Sequence, residues 1–291
     1  MQETLNNIHH GVISTRYFDD TFDIENCQNY ILSIQLSLNG FSFIVFDPNL
    51  NKFIVLVDFE LNAATPFQLK VELEHFFKNE AILRRQFKKV RAVYHDLRVL
   101  LVPELVLSES DFSSLFYFMF EKRADEQVFA NKIQKGETSA LFSFPKVISE
   151  LLKDNFPNAE FLPCFFPFLK FGLNSLSFHP VLYVNRMKNI IQIALIDGQK
   201  VVFVNQFFAK TDSDCLYYTL NVVKQLNLDK NTELKLMGKI DPHSEYATSL
   251  KNYFEKVHFA RFRSHYSVSH SFFKEPDHLY VPFLELCLCE L

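Results

Sequence analysis

The sequence predicts an α/β protein made of two similar halves. Three observations carry that expectation. Residues 30–61 hold three consecutive runs in which apolar and polar residues alternate, and a helix follows them. Near residue 180 the same order restarts. A gapless shift of 148 then lays Gln35 on Tyr183, Phe43 on Ile191, Val45 on Ile193, Lys52 on Lys200, Val55 on Phe203 and Phe59 on Phe207.

In the first half, Tyr30–Leu38 puts Ile34, Leu36 and Leu38 on one face and Ser33, Gln35 and Ser37 on the other. Asn39-Gly40 reads as a hairpin turn. Phe41–Phe46 is the next strand, Asp47-Pro48-Asn49 turns the chain, and Lys52–Leu61 is the third strand. Thr65-Pro66 opens a helix, because proline lacks only an N–H that the first turn leaves unused. Its apolar face is Leu69, Leu73, Phe76 and Phe77. Val90–Tyr94 and Arg98–Val102 are short strands, and Ser108 is the expected cap of a helix with Phe112, Leu115, Phe116 and Met119 on its stripe. Residues 121–138 are charged and aperiodic and read as a loop or frayed helix end. Ser139–Phe144, Pro145–Asn155, Glu160–Pro163 and Pro167–Leu173 read as strand, helix, strand and helix.

In the second half, strands are expected at Val181–Asn185, Lys188–Ile196 and Lys200–Phe207, with a turn at Asp197-Gly198. A helix from Asp212 to about Asn227 turns Leu216, Leu220, Val223 and Leu226 inward. Glu233–Met237, Ser244–Phe254, Val257–Phe262 and Pro282–Leu291 complete the series as strand, helix, strand and helix.

Composition narrows the function classes. Of 291 residues, 48% are hydrophobic and 22% charged, so the chain can bury a large core. The net charge of −4 argues against a general nucleic-acid binder. Only 6 glycines are present, against 34 phenylalanines, which leaves few places for a loop whose backbone cradles phosphate. The five cysteines are odd in number and widely spaced, which fits reduced thiols better than a disulfide framework. Cys287 and Cys289 resemble half a metal site, but no second Cys/His pair accompanies them, and burial is the expected role. Met1–Asn29 has no apolar stretch of signal-peptide type, and no run approaches a membrane span, so a cytoplasmic protein is expected.

Two successive halves of three-strand meander and helix resemble the ribonuclease-H-like duplication of the actin, sugar-kinase and Hsp70 superfamily. Residues 85–123 resemble the strand, strand, helix subdomain inserted in its cell-division and pilus-assembly branch, as does Thr138–Leu173 in its own order. The chain as a whole resembles an uncharacterised bacterial family, domain of unknown function 3822. The resemblance implies two ribonuclease-H-like lobes, residues 30–178 and 179–291, an inserted α+β subdomain at about 85–135, and an N-terminal extension over 1–29. It also implies where the superfamily's ATP chemistry would sit. The first phosphate hairpin, Asp-any-Gly in the superfamily, reads Gln35-Leu36-Ser37 here. The second reads Tyr183-Val184-Asn185, and the adenosine glycine pair is reduced to Gly238-Lys239. Magnesium is held mainly by carboxylates and phosphate oxygens, and both hairpin carboxylates are missing. The expectation is therefore a degenerate cleft with no catalytic residue, no bound metal and no cofactor.

Other clusters have milder readings. His258, His265, His270 and His278, with Arg261 and Arg263, suit an anion or RNA contact, or else an irregular polar loop. Asp58 and Glu60 share one strand face, as an acid–base pair would, but a solvent-facing polar row is the commoner arrangement. Glu72, Glu74, Arg84, Arg85, Lys88 and Lys89 read as a solvated helix face and its exit. No Gly-any-Ser-any-Gly elbow is present. The functional expectation is a non-catalytic scaffold or adaptor with a protein partner. The alternatives are a nucleotide binder or enzyme with an atypical interlobe cleft, and an RNA-associated accessory protein acting through Arg261, Arg263 and His265.

Overall fold

The computed structural model describes residues 12–107, 112–133, 138–175, 177–262, 266–268 and 276–289. The meander predicted from alternation is present as β2 (Ile31–Ser37), β3 (Gly40–Asp47) and β4 (Lys52–Glu60). β1 (Val12–Phe18) lies antiparallel on the outer edge of β4. β5 (Lys89–Tyr94) and β9 (Ala159–Pro163) add in parallel on the other side, giving the order β1-β4-β3-β2-β5-β9. The second lobe repeats the five inner strands. β10 (Val181–Arg186), β11 (Ile190–Asp197), β12 (Lys200–Phe208), β13 (Glu233–Gly238) and β14 (Val257–Phe259) run in the order β12-β11-β10-β13-β14. Each lobe is thus a three-strand antiparallel meander extended by two parallel strands, the ribonuclease-H-like arrangement.

Helices cover the sheets where their apolar stripes allow. α1 (Pro66–Asn79) starts at Thr65, whose hydroxyl accepts from the Gln68 N–H at 3.2 Å. It buries Leu69, Leu73, Phe76 and Phe77, the predicted face, beside α3 (Lys146–Asn155). Each such side chain contributes about 1.5–3 kcal/mol on burial. In the second lobe, α5 (Asp212–Gln225) starts from a capping box between Thr211 and Asp214. α6 (Glu245–Leu250) packs beside it, and Thr219 and Tyr246 hydroxyls meet at 2.8 Å. α5 is rotated slightly from the predicted stripe. Cys215, Thr219 and Val222 are its buried residues, while Leu216, Leu220, Val223 and Leu226 are half-buried. Small side chains let the helix sit close to the sheet.

α4 (Phe166–Leu173) and α7 (Val281–Leu288) lie between the lobes. They share one core with Ile44, Phe53 and Leu56 of the first sheet and Tyr183, Ala194 and Met237 of the second. Buried Arg91 on β5 donates to the carbonyls of Leu286 and Cys287 at the end of α7, which satisfies acceptors a helix leaves open. All five cysteines are free and buried, Cys287 and Cys289 among them. Burial pushes each of those two thiols up to about 12.

The inserted subdomain is a three-stranded sheet, β6 (Val99–Pro103), β8 (Thr138–Pro145) and β7 (Glu126–Ile133), with α2 (Phe112–Met119) packed on it through Phe116. β7 falls inside 121–138, the segment expected to be a loop or frayed helix end. Its charges hide the alternation because they are paired: Glu126 with Arg98, and Lys132 with Glu104 at 3.1 Å. β1 falls inside the segment expected to be a polar extension. Ser108, the expected helix cap, lies outside the described residues. The Asn39-Gly40 turn is displaced by one residue: Leu38-Asn39 form it, Gly40 opens β3, and neither Asn39 nor Gly40 has a positive φ. A short strand, β15 (Ser267–Val268), runs parallel to the start of β4.

Candidate functional site

The hairpins set the correspondence between the lobes. Ser37 pairs with Gly40 across Leu38-Asn39, and the Met187 N–H donates to the Ile190 carbonyl across Lys188-Asn189. Ser37 therefore answers to Met187, an offset of 150, whereas Lys52 answers to Lys200, an offset of 148. The difference lies in one turn. Asp47 reaches Lys52 over four residues, and Asp197 reaches Lys200 over two, with Gly198 at φ +58°. The gapless shift is therefore right for the third strands and two residues out for the first two. Gln35 corresponds to Asn185, not to Tyr183. Tyr183 is 1% exposed and packs edge-on against Phe171 in the interlobe core, away from the cavity.

This register aligns two polar rows. Gln35, Ser42 and Asp58 lie side by side across β2, β3 and β4. Asn185, Gln192 and Gln206 lie side by side across β10, β11 and β12. In the first row the Ser42 hydroxyl donates to Asp58. In the second, Asn185 donates to Gln192 at 2.8 Å and Gln192 to Gln206 at 3.2 Å.

Each row ends on the opposite lobe. The Lys239 ammonium, just past β13, stands 3.5 Å from Asp58. The Gln206 amide donates to the Asp96 carbonyl, just past β5, at 2.8 Å. That carbonyl can only accept, so it orients all three amides of the second row in series. The chain ends on the Asn185 side-chain oxygen, which is buried and has no donor. Gly238 makes room for it. A Cβ there would stand 2.3 Å from that oxygen and 2.2 Å from the Arg186 carbonyl, and its φ is +79°.

A cavity of about 340 Å³ opens between the lobes at these positions. Gln35, Ser37, Asn185, Gly238 and Lys239, five of the six expected cleft positions, line it. So do Asp58, Glu60, His95, Asp96, Arg123 and Lys188. Carboxylates thus do reach the cleft, from β4 and from the segment after β5 rather than from the hairpins. Two of them are committed to cations: Asp58 to Lys239, and Asp96 to Arg123 at 2.7 Å and to Arg98 at 3.2 Å. The His95 ring nitrogens are buried without partners, and desolvation lowers the imidazole to about 4, so it is neutral. Cys164 beside Gln192 and Gln206 is pushed up to about 12 by burial.

The superfamily's magnesium–ATP group can be tested against this donor set. Amides stand at both hairpin positions, and among the described residues no three His, Cys, Asp or Glu side chains are arranged to hold a metal. The residues present do not fit that group. The other expected contact is split: Arg261 is exposed just past β14, while Arg263 and His265 lie outside the described residues. Among the described residues, no helix is long and apolar enough to cross a membrane.

Residue-type reading alone missed His95, Asp96, Ser42, Gln192 and Gln206. For Ser42, Gln192 and Gln206 the available signal was a polar residue within an apolar strand, at positions that become neighbours once the register is known; His95 and Asp96 follow β5 and carry no such signal.

Comparisons with known proteins agree with this architecture. The model of a family described as protein of unknown function (DUF3822) matches residues 19–257. A crystal structure from Bacteroides thetaiotaomicron VPI-5482, of a protein with actin-like ATPase fold and unknown function, superimposes with a TM-score of 0.79 at 24% identity, covering 93% of this chain and 100% of that one. The PilM-PilN type IV pilus biogenesis complex contains a chain similar at a TM-score of 0.56 and 11% identity, with 89% of this chain and 97% of that one covered. These likenesses establish the actin-like ATPase fold. No curated protein matches this chain in sequence.

Proposed function

The chain belongs to the DUF3822 family, and from that premise we propose that it is a non-catalytic scaffold or adaptor that keeps an actin-like fold without ATPase activity. The observation that carries this reading is the pair Gln35 and Asn185. At the two equivalent hairpin positions where a carboxylate would organise magnesium, both lobes present a neutral amide, and one, Asn185, is held at the end of an amide chain. The carboxylate in the same cross-strand row as Gln35, Asp58, is engaged by Ser42 and Lys239.

A scaffold acts through a partner, and we propose a protein partner. A related fold stands with a second protein in the PilM-PilN complex. The inserted subdomain of this chain also exposes Leu105, Val106, Phe118 and Met119. Calorimetric titration with magnesium–ATP, together with a phosphate-release assay, tests the reading. No heat of binding and no turnover are expected; micromolar binding or steady hydrolysis overturns it.

The second reading, a ligand-binding cleft of unorthodox chemistry, is favoured by the cavity with Lys188, Lys239 and Arg123 on its walls. The same titration, repeated without magnesium, separates the two.

A further inference from the structure

The two meanders differ at their outer edges. In the first lobe the edge of β4 is covered: β1 runs antiparallel along Val55–Glu60, β15 takes Lys52 and Phe53, and the Asp19 N–H donates to the Ile54 carbonyl at 2.8 Å. β4 is accordingly buried along nearly its whole length. β12 is the equivalent strand in the second lobe. Among the described residues no strand pairs with its outer edge, and it alternates between exposed and half-buried.

The two edges have the same shape. Each carries one bulge in the same place: Ile54 is passed over between the Val45 and Phe46 pairs, and Val202 between the Leu195 and Ile196 pairs. Ile54 is fully buried in the first-lobe core, while Val202 is 50% exposed. In β4 the positions facing outward are the even-numbered ones, and their counterparts are Val202, Val204, Gln206 and Phe208. The Gln206 N–H is capped by the neighbouring Asn205 side chain at 2.8 Å, which a strand alongside would replace. Val201–Phe208 contains no charge and no proline, two of the features that protect an open edge. The residues 150 places after β1 cannot supply the cover, because β9 is paired with β5 and α4 is in the interlobe core.

We propose that the β12 edge is an interface with a second copy of this chain, formed by antiparallel β12–β12 pairing about a twofold axis. Charge complementarity selects the copy. Centring the pair on Val204 sets Val202 opposite Gln206 of the other copy and Lys200 opposite Phe208. It also brings the exposed Lys210 of each copy beside the exposed Asp197 at the Gly198 turn of the other. No like charges face each other in that register, and the two five-stranded sheets join into one.

Sedimentation velocity over about 1–100 μM protein tests this. Self-association rising with concentration is expected, with exchange protection of the Val204 and Phe208 amides rising in step. Phe208→Lys sets an ammonium opposite Lys200 and is expected to weaken association about tenfold, and Lys200→Glu added to it is expected to restore association. Circular dichroism identifies any variant that fails to fold, in which case the exchange data on the unaltered chain decide. A chain that stays monomeric throughout the range overturns the proposal. So does a dimer whose strength ignores both substitutions and whose β12 amides stay unprotected.

Discussion

Asp58 and Gln206 occupy the same place in the two lobes, and each reaches across to the other lobe. Asp58 meets the Lys239 ammonium at 3.5 Å, and Gln206 donates to the Asp96 carbonyl at 2.8 Å. The receiving segments are themselves equivalent, since one follows β5 and the other follows β13. The lobes are thus tied by a pseudo-twofold pair of contacts, one ionic and one neutral, at the mouth and at the wall of the same cleft.

The ionic tie is expected to be the weaker. Lys239 is 56% exposed, so Lys239→Ala should lower stability by less than about 1 kcal/mol. Asp58→Ala also leaves the buried Ser42 hydroxyl without its acceptor and should cost about 1–3 kcal/mol. Urea unfolding of the two variants checks the order.

The neutral tie depends on a donor. Gln206→Glu replaces the amide N–H₂ that serves the Asp96 carbonyl with an acceptor, and above the carboxylate's pKa two acceptors face each other. A loss of about 1–3 kcal/mol is expected at neutral pH. Part of it should return in acid, where the protonated carboxyl can donate again. Equal loss at pH 4 and pH 7 would refute the donor argument.

Gly238→Ala should destabilise by about 1–3 kcal/mol, because φ is +79° and the new Cβ would meet the Arg186 carbonyl and the Asn185 oxygen inside contact distance. Gly198→Ala, in open space at φ +58°, should cost only the backbone term of about 1 kcal/mol. Thermal unfolding of both separates clash from conformation.

His95 makes stability depend on pH. Its folded value, about 4, is below the ordinary 6.5, so between those values the unfolded chain binds the extra proton. Its contribution is therefore fully present above pH 6.5 and is lost as pH falls towards 4, by at most about 1.4 kcal/mol per pH unit. His95→Phe should flatten that part of the profile of unfolding free energy against pH.

The thiols should be silent in the native protein. All five are buried, and those at 164, 287 and 289 are pushed up to about 12 by burial. Labelling with a thiol reagent at pH 8 is expected to proceed only on global or local opening. A thiol that reacts within seconds without denaturant would contradict the described packing.

Much of the fold was legible in the sequence. The alternation in Tyr30–Leu61, the spacing of Leu69, Leu73, Phe76 and Phe77, and the restart near residue 180 each reflect a local rule, the period of a strand or a helix. β7 and β1 were not legible, because charged or polar residues paired elsewhere in the fold interrupt their pattern.

By itself the sequence determined the order of the meanders and of the helices that follow them, the duplication, and the absence of a carboxylate from both hairpins, which holds in either register since no Asp-any-Gly lies near them. Only the tertiary structure decided that Asn185 rather than Tyr183 faces the cleft, that Asp58 enters it from β4, and that β4 is covered where β12 is open. The physical reason is that strand register depends on turn length, and two residues in one turn move every side chain along the sheet. Contacts such as Asp58–Lys239 join positions 181 residues apart, which no local pattern records.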